Sequence, residues 1–220
     1  MILKLLLGAV FLQGAPAGDE DAREALKKLA DQFRDARTIS ARVVQQRRTE
    51  LLDQPMRSSG TMIYRREPAR LVFRMSEPKQ TEIHLDRLSY QVYRSDEKRL
   101  ERFDFEDDAL SGRLLMIFEP KPEELGKTFL LVAGPKREGE LEIRLEPRDD
   151  KVRGHLKKLV LTVALPGGML RRIDYMDAEG DEIRFDLSEV TVNPVLAAEL
   201  FELKVPEGTR VLRHKARIPK

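Results

Sequence analysis

The feature that most constrains this chain is the spacing of its apolar runs between Thr38 and Phe103. Ile39, Ala41, Val43 and Gln45 share one face of a strand, because strand side chains alternate with period two. Met62 and Tyr64, then Leu71 and Phe73, repeat that alternation on either side of a charged turn. Pro68 fixes its own φ and offers no N–H to a ladder, so it belongs at the bend of a β-hairpin running from Gly60 to Phe73. Thr81 to Leu85, Leu88 to Tyr93 and Arg99 to Phe103 read as further short strands separated by charged turns. Strands this close, with no helix between them, predict an antiparallel meander.

Strands resume at Phe129 to Ala133 and at Glu140 to Leu145, where Leu141, Ile143 and Leu145 alternate with charged residues and give one dry and one wet face. Leu156 to Leu165, Leu170 to Tyr175 and Glu182 to Val192 continue the pattern, with turn signals at Pro166-Gly167-Gly168 and at Ala178 to Asp181. Two stretches change period. Ala22, Leu26, Leu29, Ala30, Phe33 and Ala36 form the apolar stripe of an N-terminal helix. Leu110, Leu114, Ile117 and Phe118 form a second stripe, which Pro120 and Pro122 are expected to stop. The sum is a mainly β (α+β) chain, a strongly curved sheet of about ten or eleven strands with helices over its concave face.

With 220 residues, 41% hydrophobic and 35% charged, the chain suits one domain with a substantial core. Residues 1–17 read separately: Lys4, the apolar run Leu5 to Leu12 and the small-x-small Ala15-Pro16-Ala17 have the form of a secretory signal, too short to span a bilayer. Its removal leaves a single mature domain, 18–220. It takes one of 40 basic residues and none of 38 acidic ones, so the charge stays near balance, which argues against a general nucleic-acid or membrane-surface binder. There is no cysteine, hence no disulfide, thiolate metal site or acylated N-terminal cysteine, and the exported product is expected to be soluble.

No constellation for bond chemistry emerges. His84, His155 and His214 lack second ligands at helical or hairpin spacing, and alternation places His84 with Glu82 and Asp86 on a solvated face. Acid pairs such as Asp107-Asp108 fall in turns or helix starts, no Gly-x-Ser-x-Gly elbow occurs, and Gly167-Gly168 reads as a hairpin turn. The expectation is a protein that is not an enzyme and holds no metal or cofactor. What remains is apolar surface on one sheet face and two helices. Periodicity alone does not separate a filled core from a ligand cavity.

In order, the export signal, the N-terminal helix running into Ile39 to Gln46, the Gly60 to Phe73 hairpin, Leu85-Asp86-Arg87-Leu88-Ser89-Tyr90-Gln91-Val92-Tyr93, the helical segment Leu110 to Phe118, Val190-Thr191-Val192-Asn193-Pro194 and Phe201-Glu202-Leu203 resemble the LolA-like periplasmic lipoprotein carriers. The resemblance covers nearly all of the mature chain. It implies an incomplete antiparallel β-barrel lidded by helices, with a cavity for acyl chains. It also implies a monomer in the periplasm that takes acylated lipoproteins from an inner-membrane transporter and passes them to an outer-membrane acceptor. On that reading Met62, Tyr64, Leu71, Phe73, Ile83 and Leu85 line the cavity, and Leu110, Leu114, Ile117 and Phe118 form the lid. The family's lid-latching arginine before the hairpin proline is Glu67 here, and a carboxylate cannot donate a guanidinium's hydrogen bonds, so Arg66 and Arg70 become the candidate latches. A regulator or stress sensor on the same fold, or a carrier of another lipid, is the alternative.

Overall fold

The alternating runs pair as successive hairpins in a computed structural model that describes residues 19–50, 53–105, 115, 122–148, 150–154 and 156–216. The expected signal segment and the four expected lid residues Leu110, Leu114, Ile117 and Phe118 lie outside the described residues. The meander comprises β1 (Thr38–Arg48), β2 (Met56–Arg65), β3 (Arg70–Glu77), β4 (Thr81–Asp86), β5 (Ser89–Arg94) and β6 (Arg99–Phe105). A second run comprises β7 (Phe129–Arg137), β8 (Glu140–Pro147), β9 (Leu156–Ala164), β10 (Met169–Asp177) and β11 (Glu182–Val192). The two runs join where β1 pairs antiparallel with β11, Val43 opposite Leu187 and Gln45 opposite Phe185. The result is one twelve-stranded sheet, β12-β6-β5-β4-β3-β2-β1-β11-β10-β9-β8-β7, in which β7 and β12 (Arg210–Ala216) are free edges rather than partners. It is therefore an open sheet and not a closed barrel.

Three elements differ from the sequence expectation. The strand count is twelve because β12 pairs in parallel with β6, Arg210 opposite Arg99. Its sequence, Arg-Val-Leu-Arg-His-Lys-Ala, carries too little apolar alternation to announce a strand. An unexpected helix, α2 (Pro122–Thr128), opens at Pro122, a position where the missing N–H is not needed. A single helical turn, α3 (Asp150–Arg153), precedes β9 unannounced.

The helix α1 (Asp19–Arg34) buries Ala22, Leu26, Leu29 and Phe33 to 1% exposure or less. They join Leu141, Ile143, Leu145, Leu161 and Val163 in one core cluster on the concave face, to which Leu115 and Leu125 also belong. The β9–β10 turn comes close under this helix: Gly168, at φ +75°, would place a Cβ 2.7 Å from that of Lys28, so no larger residue fits. Gln32 Nε2 donates to the carbonyl of the adjacent Gly167.

The corner between α1 and β1 is clasped from two sides. The hairpin tip supplies Arg66, whose guanidinium donates to the carbonyls at the helix C-terminus, that of Arg34 and that of Phe33, which also accepts the Ala36 N–H at 3.2 Å. Asn193, in the left-handed region at φ 58°, accepts the Arg37 N–H at 2.7 Å and donates to the Asp35 carbonyl at 3.3 Å.

After Asn193 the chain crosses the convex face as a strap ending in the 3-10 turn Ala198–Phe201. Phe201 packs on Ile63 and Val72 as a small second core, with the Arg65 guanidinium 4.7 Å above its ring. Arg70 and Arg74 donate to the carbonyls of Phe201 and Leu200.

Candidate functional site

Strand register sorts the expected cavity residues onto one face. Met62 opposes Phe73, Tyr64 opposes Leu71, and Leu71 and Phe73 oppose Leu85 and Ile83 on β4. All six therefore line the concave side, as alternation predicts. Their packing is not uniform. Met62, Tyr64, Leu71 and Leu85 are 1, 0, 5 and 5% exposed and belong to the core cluster with α1. Phe73 and Ile83 are only partly buried. Four of the six thus sit in a filled part of the concave face, and the accessible part begins at Phe73.

There the curvature of the sheet brings the two runs of strands together. The Phe73 ring stacks on Phe185 of β11 at 5.4 Å between centroids, and Phe185 stacks on Tyr175 of β10 at 6.3 Å. Tyr90 of β5 lies against Phe103 of β6 at 5.9 Å, and Phe103 stacks on His214 of β12 at 4.7 Å. Phe73, Tyr90, Phe103, Tyr175 and Phe185 are all partly exposed, so together they form an aromatic floor. Burial raises the phenol pKa of Tyr90 and pushes that of Tyr175 up to about 12. Offset aromatic surfaces of this kind take up alkyl chains without demanding one shape. Tyr175 and Phe185 fell in expected strands, but alternation does not reveal that β10 and β11 curl round to face β3.

The candidate latches part company. Arg66 fastens the C-terminus of α1, whereas Arg70 turns to the convex face, 3.0 Å from Asp86 and 3.0 Å from the carbonyl of Phe201. Glu67 lies exposed in the turn between them. His84 corrects another expectation. It is on the convex face as alternation requires, beside Val72 in register, but it is 3% exposed, with Nε2 3.2 Å from Glu82. That part of the face is not solvated, since the strap covers the neighbouring Ile63 and Val72.

Elsewhere the convex face has the mixed charge the sequence suggests, with cross-strand pairs Arg172–Asp186 and Arg184–Asp174, each at 2.7 Å. A groove of about 250 Å³ is lined by Arg48, Glu142, Lys158, Asp174 and Arg184 beside Val160, Ile183 and Tyr175. Its charged residues do not suit an acyl chain. The concave aromatic floor is therefore the better candidate site.

An open, strongly curved and almost wholly antiparallel sheet with a charged convex face and an apolar concave face braced by α1 defines the class of half-barrel folds. Residues 34–204 match the family described as outer membrane lipoprotein carrier protein LolA, and the chain belongs to that family. It is 24% identical to an outer-membrane lipoprotein carrier protein of Cupriavidus taiwanensis over 156 residues, 71% of each chain. It is 31% identical to one of Bordetella avium over 90 residues, 41% of each chain. Among solved structures, an uncharacterised conserved protein of Thermus thermophilus superposes with a TM-score of 0.54 at 10% identity, covering 88% of this chain and 99% of that one. MucB superposes with a TM-score of 0.50 at 15% identity, covering 84% of this chain and 63% of MucB. At these identities the two structures speak for the fold alone.

Proposed function

We propose that this protein carries lipoproteins through the periplasm, shielding their acyl chains on the concave face between an inner-membrane transporter that releases them and an outer-membrane acceptor that receives them. Membership of the carrier family supports the reading. The observation that carries it is the partly exposed stack Phe73–Phe185–Tyr175 on the face opposite the salt bridges.

A carrier has to release as well as bind. Burial of acyl chains is worth about 0.8 kcal/mol per CH₂, so a closed, fully complementary pocket would hold two long chains almost irreversibly. A floor inside an open sheet buries only part of each chain and leaves them exchangeable.

The test is retention of a synthetic diacylated lipopeptide by Phe73→Ser and Phe185→Ser variants. Each is expected to retain it about tenfold or more weakly than the wild type, because each removes a large part of one aromatic contact surface. Retention equal to wild type in both variants would remove the floor from the mechanism. If the same peptide without acyl chains bound equally well, the regulator reading would be favoured over carriage.

A further inference from the structure

The concave face is apolar along most of its length but not at the end opposite the α1–β1 corner. On β5 and β6, Arg94 and Arg99 face each other in register, and Glu101 opposes Val92, which places all three on the side of Tyr90. Glu101 lies 3.2 Å from Arg94 Nη1 and 3.0 Å from Arg99 Nε, and Arg99 is also 2.8 Å from Glu97. Across the groove, at the far end of β1, Arg47 donates to Asp181 at 2.5 Å and is in register with Ile183, which is itself in register with Tyr175. The Arg94, Arg99 and Glu101 side chains are 31, 34 and 21% exposed.

Two features distinguish this cluster from an ordinary solvated rim. Arg94 Nη1 and Arg99 Nε are buried atoms without an aligned hydrogen-bond acceptor, since Glu101 is within ion-pair distance of both but off their N–H directions. Donors of that kind gain from any oxygen that enters the groove. Each cation is also already matched: Arg94 and Arg99 by Glu101 and Glu97, Arg47 by Asp181. An anionic head group would face the Glu101 carboxylate at close range and be repelled, a cationic one would face Arg94 and Arg99, and a neutral carbonyl oxygen meets the donors without either penalty.

We infer that this end of the concave site is a head-group subsite for the neutral carbonyl oxygens of an acyl ester, with the attached chain running from it over Tyr90, Tyr175, Phe185 and Phe73. The inference rests on the carrier reading and adds a direction to it: ester at the Arg47–Arg94 end, chain toward the middle of the floor. The hydroxyls of Tyr90 and Tyr175, protonated at neutral pH like any phenol, supply further donors on the same concave face.

Displacement of a fluorescent acyl probe tests it, using monolaurin, laurate and dodecanol, which share one chain length, each below its micelle concentration and at neutral pH. Monolaurin is expected to displace the probe at about a tenfold lower concentration than laurate or dodecanol, the effect of one or two net hydrogen bonds. Arg94→Met and, independently, Tyr90→Phe should shrink the ratio of monolaurin to dodecanol potency, with circular dichroism reporting the fold of each. Laurate as the strongest competitor would make this an anion site and overturn the proposal. A monolaurin advantage that survives in both variants would overturn it as well. Equal potency of monolaurin and dodecanol would sink the subsite and leave the carrier standing, whereas failure of all three to displace the probe would sink the carrier reading.

Discussion

At the scale of single residues, Gly60 is fixed by backbone approach alone. An ideal Cβ there would lie 2.0 Å from the Arg74 carbonyl oxygen and 2.7 Å from Met75 Cα, where the β2–β3 register shifts between Ser59 and Gly60. Backbone on a paired strand cannot move aside as a flexible side chain does, so Gly60→Ala should cost about 3 kcal/mol, the upper end for overpacking, measurable as a lower urea midpoint at unchanged slope. Tyr175 makes a different prediction. Its pKa is raised from 10.0 to about 12, chiefly by burial, so the folded state favours the protonated phenol. The stability that this lends is complete below the unfolded value near 10 and is lost as pH rises through about 12. Urea midpoints should therefore fall across that alkaline window, and Tyr175→Phe, which has no proton to lose, should show a smaller fall. An identical pH profile in the variant would mean that Tyr175 ionises freely in the native state.

At the scale of elements, the hairpin shows what is legible in a sequence and what is not. Its walls were readable because Met62, Tyr64, Leu71 and Phe73 sit inside ladders, where period two dictates the face. Its tip was not. Arg66 lies beyond the ladder, in the turn, where parity has no meaning, and its partners are carbonyls delivered by the end of α1. Arg66→Met should remove the donor to the Arg34 carbonyl and one of the two to that of Phe33, and cost about 1–2 kcal/mol. Hydrogen exchange should quicken in the last turn of α1, while Arg70→Met leaves that turn protected and loosens the strap instead. Equal exchange of α1 in both variants would contradict the cap. His84 follows the same logic: alternation set its face but not its cover, which comes from the strap more than a hundred residues along the chain. β12 was illegible for a similar reason, since its partner β6 is equally remote and its basic sequence carries no apolar period.

At the scale of the whole molecule, the open sheet divides its concave face into two parts with different duties. One part is the closely packed cluster that holds Met62, Tyr64 and Leu71 on one run of strands and, beneath α1, Leu141 and Ile143 on the other, with almost no exposure. The other is the aromatic floor, formed where β3 on one run of strands meets β10 and β11 on the other. Because the first part is filled, an acyl chain entering beneath α1 would have to lift it off β7, β8 and β10 and expose Leu26, Leu29 and Phe33, at a cost of about 1.5–3 kcal/mol for each side chain returned to water. Entry along the floor costs nothing comparable. Loading with monolaurin or a diacylated lipopeptide should therefore slow hydrogen exchange in β3, β10 and β11 and leave the exchange of α1 unchanged. The same ligand at a hundred times its dissociation constant should stabilise the fold by about 2.7 kcal/mol through mass action alone. For a chain of this size that corresponds to a rise in Tm of about 5–10 °C. Faster exchange in α1 on loading would show that the helix opens to admit the chain, and would move the binding site from the aromatic floor to the Leu141, Ile143 and Leu145 wall beneath the helix.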